Sequence, residues 1–401
     1  MQKLIVLIIF FFLIDLTCAQ SAKEQLALAN SVKLENNDFF EEISFQNKFG
    51  YFIIPVHIGN KNYEYIFDTG GYNTLTSEIM DKNKLPKVME VEVGSSNQIK
   101  SKIILTKIPL IKIGDIDFKE IGAFNFDFDD SPQIKCYTNG GIIGKSIIKN
   151  AVWQVNAKEQ KIILTDNVNK LKKLNNAIRI KVKLDKTFNP FIKAKINDKT
   201  LTFLLDFGYG GFISLTEKVG VNLNSQEVVE IIGEGSISAN GIVNESMFIK
   251  TLESFKIGRS NLQNQVAYYS KSNNYNLIGS GITKHFIVTL NFKDQELLLT
   301  PIENTEKLSS KKSFGFDLNR NDNNVYVSKI FKDFSAEKAG LKLNDIVISI
   351  NNKDITKSSY CDFYDYTKEI LRGDEAIRLT IKRENVLQNI QVIKSNIFNL
   401  E

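Results

Sequence analysis

Residues 58–70 read IGNKNYEYIFDTG, and residues 196–208 read INDKTLTFLLDFG. Each stretch leads through two hydrophobic residues into Asp, one further residue and Gly, at an offset of 138 positions. A second match lies downstream. Ile142-Ile143-Gly144-Lys145-Ser146-Ile147-Ile148-Lys149 aligns with Leu277-Ile278-Gly279-Ser280-Gly281-Ile282-Thr283-Lys284 at an offset of 135, and the alignment continues ungapped from Val155-Asn156 and Leu164-Thr165 to Leu290-Asn291 and Leu299-Thr300. A third pairs Lys112-Ile113-Gly114 with Lys256-Ile257-Gly258. The matches keep their order and nearly their spacing, which is the mark of one structural unit used twice. The units span 45–166 and 176–301, joined by the polar stretch DNVNKLKKLNNA at 166–177.

Each unit is expected to be a compact β-domain. Tyr51 to Ile58, Tyr63 to Phe67, Lys102 to Thr106 and Lys161 to Leu164 alternate or run apolar between Gly and Asn turns. Long helical periodicity is scarce. In both units the Asp leaves an apolar strand, where a carboxylate is costly to bury without hydrogen bonds or a partner. The Gly two residues on permits a tight turn that brings backbone donors to the carboxylate. If the units face each other, Asp68 and Asp206 meet. Two carboxyls in contact cannot both ionise easily, so they share a proton, one serving as general base on water and the other as general acid. One Asp-Thr-Gly by itself is only a turn signal. Its recurrence at matched repeat positions, each with a later hydrophobic-hydrophobic-Gly, carries the assignment.

On these motifs the two units resemble the lobes of pepsin-clan aspartic endopeptidases, nearest in style to retropepsin-like bacterial ones. The resemblance covers about 45–301. It implies a two-lobed aspartic-protease β-barrel fold, mainly β, with Asp68 and Asp206 as the catalytic dyad. Thr69, Gly70, Phe207, Gly208, Gly144 and Gly279 become the active-site loop residues. It also implies flap hairpins over the cleft, with tips at Val93-Gly94-Ser95-Ser96-Asn97 and Ile232-Gly233-Glu234-Gly235-Ser236, hence Gly94, Ser95 and Gly235 as flap residues. Polypeptides become the substrate, with no cofactor and no metal, and one chain supplies both aspartates, so oligomerisation is not required. Two departures stand out. Phe207 replaces the family's Thr or Ser, and Gly71 and Tyr209 follow the glycines where Ser, Thr or Ala is usual. A degenerate pseudoprotease that holds extended chains without cutting them is the alternative reading. Asp206-Phe207-Gly208 is not a kinase motif, since no Gly-rich loop, strand lysine or His-Arg-Asp loop accompanies it.

Composition narrows the chemistry further. The 401 residues are 43% hydrophobic and 24% charged, a globular balance. The net charge of +5 comes from interspersed 51 basic and 46 acidic residues, which gives no nucleic-acid footprint. His57 and His285 are the only histidines, so a multi-His zinc site is excluded. Met1-Gln2-Lys3, the apolar run Leu4 to Ile14 and Thr17-Cys18-Ala19 read as a signal peptide over 1–19, which places the mature chain in a secreted, periplasmic or cell-envelope location without a transmembrane helix. Cys18 raises lipoprotein anchoring, against which Asp15 stands where a lipobox wants an aliphatic residue. Residues 20–44 form an N-terminal segment of unassigned role. Cys136 and Cys361 lie far apart, in different expected domains, and are expected to be free buried thiols.

After a polar linker at 302–312 the punctuation changes. Phe314-Gly315-Phe316 opens a strand, Ala339-Gly340-Leu341 ends a short helix, and Asn344-Asp345 and Ile350-Asn351 flank another strand. Tyr360 to Leu371 suits a helix. This pattern over 311–397 resembles an α+β PDZ domain, with Phe314, Gly315 and Phe316 as the carboxylate loop and Asn344 where Gly is usual. The resemblance implies peptide C-termini as partners, added to a strand edge while loop amides hold the carboxylate. A domain that merely packs on the lobes is the alternative.

Overall fold

A computed structural model describes residues 22–94, 100–172, 174–224, 227–238, 241–302, 312–321 and 324–398. The expected signal peptide, with Cys18, and the flap residue Ser95 lie outside the described residues. The chain is mainly β. Each repeat builds the same nucleus. In the first, Tyr51–Ile58 and Lys61–Phe67 form a hairpin with Ile53 opposite Ile66. In the second, Pro190–Ile196 and Lys199–Asp206 do so with Phe191 opposite Leu204. The later hydrophobic-hydrophobic-Gly motif then returns as a short parallel strand beside the Asp-bearing one. Gly141–Ile143 sets Ile142 against Ile66, and Leu277–Gly279 sets Ile278 against Leu205. The motifs that match along the sequence therefore also meet in space, in the same way in each half.

A six-stranded sheet joins the halves. At its centre Val152–Asn156 runs antiparallel to Phe286–Asn291, with Trp153 opposite Leu290. These strands occupy matching repeat positions, so the two units face each other about this seam. One apolar core crosses it, with Phe52, Phe67 and Trp153 from the first unit and Phe203, Phe207 and Phe255 from the second, all fully buried. Each such ring contributes about 1.5–3 kcal/mol by leaving water. The Trp153 indole N–H donates to the Ile148 carbonyl at 2.9 Å, so its polar atom is not stranded in that core.

The N-terminal segment belongs to the first unit. Residues 22–29 form a helix, Lys33–Leu34 pairs with Ile116–Asn125, and Phe40–Ser44 pairs with Lys161–Thr165 at the edge of the joining sheet. The unit expected to start at 45 thus reaches back to residue 22, since its outer strands need partners from before that point.

The C-terminal unit has a separate core built on Phe316, Val327, Leu341, Ile350, Phe363 and Leu379. It is held to both halves. Its strand Val325–Phe331 pairs with Val228–Ser238 of the second half, Ile232 lying opposite Ile330. Its helix Tyr360–Gly373 is covalently tied to the first half by a Cys136–Cys361 disulfide. The expectation of free thiols is overturned: a separation of 225 residues along the chain becomes a Cα–Cα distance of 5.3 Å in space. Closing so long a loop removes much of the freedom of the unfolded chain, worth on the order of 2–5 kcal/mol. The double variant Cys136→Ser, Cys361→Ser is expected to lose stability in that range. Equilibrium unfolding in denaturant under non-reducing conditions checks this; an unchanged midpoint would show that the cross-link does not form.

Candidate active site

Asp68 follows the strand Lys61–Phe67, and Asp206 ends the strand Lys199–Asp206. The two strands deliver the carboxyls to one point at the seam, where the side chains hydrogen-bond to each other. The surrounding amides are unequally shared. Gly70 N–H and Gly71 N–H donate to Asp68 Oδ1 at 2.8 and 2.9 Å, and Gly208 N–H, at 3.2 Å, reaches the same atom. Asp206 Oδ1 accepts from Gly208 N–H alone, at 2.9 Å. Burial first, and then the Asp68 charge and the hydrogen bond that the Asp206 carboxyl donates to Asp68, raise Asp206 well above the ordinary carboxylate value. Amides favour the charged form of the group they reach, and Asp206, reached by fewer of them, is the member of the pair whose charged form is disfavoured.

The glycines are required by proximity. A Cβ on Gly70 would lie 2.7 Å from the Asp206 carboxyl carbon, and one on Gly208 would lie 2.5 Å from Asp68 Oδ2. Gly144 and Gly279 clear the loops in the same way, against Gly71 O at 2.5 Å and Gly211 O at 2.3 Å. Thr69 locks one loop to the other. Its hydroxyl donates to Leu205 O at 2.6 Å and accepts from Phe207 N–H at 3.0 Å. Phe207 cannot return that bond. It is fully buried instead, edge-on to Phe52 at 5.6 Å and to Phe67 at 6.4 Å. Apolar contact stands where the matching half has a hydroxyl.

The roof of the seam differs from the expectation. Met89–Gly94 and Lys100–Ile113 form the first hairpin, with Gly94 opposite Lys100, so Gly94 lies at the turn. Gly235 is not at a tip. It lies inside the strand Val228–Ser238, whose hairpin partner Gly241–Asn244 begins only after Ser238. The C-terminal unit pairs with this strand as far as Gly233, opposite Lys329, and Lys329 Nζ donates to Gly235 O at 3.2 Å; from Glu234 to Ser238 the strand is continued by its pairing with Gly241–Asn244. Ser131 Oγ of the first half donates to Ser238 O, 2.5 Å away, so the two halves also touch at this strand end.

Three residues were missed at the level of sequence. Lys145 follows Gly144 and is 3% exposed, its Nζ donating to Asn189 Oδ1 at 2.6 Å and lying 4.0 Å over the Tyr72 ring. Burial pulls its ammonium down to about 8, while Asp185, Asp68 and Asp206 draw it the other way. Its place directly after a repeat motif was the available signal; the other half has Ser280 there, bonded to Gly50 O at 2.5 Å. Tyr51 and Tyr364 are the others. Burial, then the charges of Tyr364, Asp206 and Asp68, push the Tyr51 phenol up, which puts a residue of the C-terminal helix within electrostatic reach of the same ring as the carboxyl pair. His57 pairs with Asn62 at 3.3 Å, and His285 lines a cavity of about 150 Å³ behind the Gly210-Gly211 loop with Phe212 and Gln265. Neither enters the site. Among the described residues no His, Cys, Asp and Glu group could hold a metal ion.

In the C-terminal unit Phe314 and Phe316 are buried, and Gly315 takes φ +80°, which turns the loop into the strand Phe316–Arg320. Asn344 has φ +68°, a conformation that Gly adopts freely and Asn tolerates better than most residues, so the expected Gly is replaced without a change of turn. The strand Phe316–Arg320 and the helix Tyr360–Gly373 are bridged twice. Lys368 Nζ donates to both Asp317 carboxylate oxygens at 2.8 and 2.9 Å, and Tyr360 Oη donates to Asn319 Oδ1 at 2.9 Å. Asp317 and Asn319 also accept from the N–H groups of Leu318 and Arg320 at 3.0 and 2.8 Å.

Comparison with known proteins agrees with this part of the chain. No curated protein matches the chain as a whole. Residues 304–382 match the PDZ domain family, so the C-terminal unit is a PDZ domain, a peptide-binding module.

Proposed function

We propose that the chain is an aspartic endopeptidase of the secretory or envelope compartment, carrying its PDZ domain against the catalytic lobes. The observation that carries the reading is the paired Asp68 and Asp206 carboxyls, hydrogen-bonded to each other at the junction of two matched loops. The Cys136–Cys361 disulfide supports the compartment, since such bonds persist in oxidising surroundings.

Asp68, whose Oδ1 is reached by three amides, takes a proton from a water molecule lying between the carboxyls. The oxygen attacks the peptide carbonyl carbon. Asp206, protonated in its buried position, donates its proton as the carbonyl oxygen gathers charge, and the tetrahedral species collapses with transfer of a proton to the leaving amine. Substrate runs extended along the seam beneath the first hairpin. A scaffold that binds without cutting would use the same seam, and Phe207 is the feature in its favour. Against it stands the retained Thr69 bridge, which keeps the two loops in register.

Asp68→Asn and Asp206→Asn are each expected to abolish hydrolysis of a mixed peptide library while the protein stays folded; full turnover in either variant would end the proposal.

The raised Asp206 gives a second expectation with a definite sign. A carboxyl whose folded value lies above the unfolded one stabilises the fold fully below the ordinary value of 3.8, and that contribution is lost as pH rises towards the folded value. Asp206→Asn removes this loss, so its melting temperature is expected to exceed that of the parent at pH above neutrality. The gap closes as pH falls towards 3.8. A gap that is absent, or that widens in acid, contradicts the buried proton.

For the PDZ domain, free-acid peptides are expected to bind the full chain more tightly than their amidated twins. Equal affinities in calorimetric titration would remove carboxylate capture by the loop Phe314-Gly315-Phe316.

A further inference from the structure

Beside Asp68 the seam holds a set of rings outside the main core. Phe49, Tyr51, Ile134, Ile142 and Tyr364 are half-buried around the buried Ile53, Ile66 and Tyr137. Tyr51 stacks on Tyr137 at 5.2 Å, and Tyr137 meets Tyr364 edge-on at 5.8 Å. The patch reaches the carboxyl pair directly. A Cβ placed on Gly71 would lie 2.4 Å from Asp68 Oδ2 and 3.5 Å from Ile142, so the apolar surface starts at the catalytic loop. Tyr51 starts its strand two residues before Ile53, and Ile53 lies opposite Ile66, two residues before Asp68.

Tyr364 comes from the PDZ helix, and that helix is fixed. Cys361, three residues earlier and thus on the same face of the helix, is the disulfide partner of Cys136. Tyr360 Oη lies 3.3 Å from Gln133 of the first half, and Arg372 lies 4.4 Å over the Phe49 ring. A ring on a helix anchored in this way keeps its position when an extended chain lies beside it, and fixed supports of this kind are what make a subsite selective.

We propose that Tyr364 of the PDZ helix is a specificity-determining residue of the cleft, forming with Tyr51 and Tyr137 a composite aromatic subsite for a large apolar side chain, such as Phe, of an extended peptide whose scissile bond lies at Asp68 and Asp206. The inference rests on the peptidase reading for the bond that is cut, and on geometry for the subsite. The PDZ domain then acts as the third wall of the cleft, in addition to its own groove.

The test uses the full chain carrying Asp206→Asn, so that binding is read without cleavage. Labelled, C-terminally amidated peptides that differ only in Phe or Ala at one position are titrated by fluorescence anisotropy. The Phe peptide is expected to bind on the order of tenfold more tightly, and Tyr364→Ala and Tyr51→Ala are each expected to bring the two affinities together. Amidation removes carboxylate capture, and Tyr51 lies outside the PDZ domain. A preference lost with Tyr364→Ala but kept with Tyr51→Ala therefore puts the side chain in the PDZ groove and overturns the proposal. Equal affinities in the parent, no binding, or a preference that survives Tyr364→Ala overturn it too. Where a Tyr→Ala chain does not fold, Cys136→Ser with Cys361→Ser decides: it keeps all three rings but frees the helix, so a reduced preference supports the subsite and an unchanged one overturns it. If the native chain cuts no peptide while the preference depends on both tyrosines, the peptidase reading falls and the subsite stands.

Discussion

Two carboxyl groups in contact, largely out of water, set the terms for the rest of this fold. Asp68 and Asp206 can stand together only if they carry one charge between them, and only if that charge is solvated by something other than water. The solvation comes from the amides of Gly70, Gly71 and Gly208, and those amides reach the carboxyls because glycines leave room for the opposite loop. The loops are in turn positioned by strands whose partners are the hydrophobic-hydrophobic-Gly segments, placed identically in both halves. Duplication of one unit therefore does more than repeat a shape. It supplies both carboxyls and the seam at which they meet.

The halves have diverged where the seam permits it. Thr69 faces Phe207, Gly71 matches Tyr209, and Lys145 matches Ser280. The Thr69 side of the junction is held by hydrogen bonds, and the Phe207 side by contacts with the first-half rings Phe52 and Phe67. A chain that carries both halves is free to distribute work in this way, because neither has to complement itself. The amides follow the same asymmetry, with more of them reaching Asp68 than Asp206.

The PDZ domain extends the asymmetry to the whole molecule. It adds a strand to the second half and a disulfide-bound helix to the first, so it straddles the seam. Its strand Phe316–Arg320 and its helix are joined by the Lys368–Asp317 and Tyr360–Asn319 contacts, and Tyr360 is also in contact with Gln133 of the first half.

The sequence by itself determined the two repeats, their β character, the Asp–x–Gly and hydrophobic-hydrophobic-Gly motifs and the PDZ punctuation, because each of these is local: a strand period, a turn residue, a spacing that recurs. It misplaced what depends on contacts between distant segments. Gly235 looks like a hairpin tip when its repeat is read alone, and the pairing of Val228–Ser238 with Gly241–Asn244 makes it mid-strand. Residues 22–44 carry no motif, yet they complete the sheets of the first half. Cys136 and Cys361 are two unremarkable thiols until the PDZ helix is docked. Tyr51 and Tyr364 have no distinguishing neighbours in sequence and Lys145 only its place after a repeat motif; the tertiary structure buries the lysine and brings the two tyrosines against Tyr137. Local chemistry is written in adjacent residues; which surfaces meet is decided by the free energy of packing the whole chain.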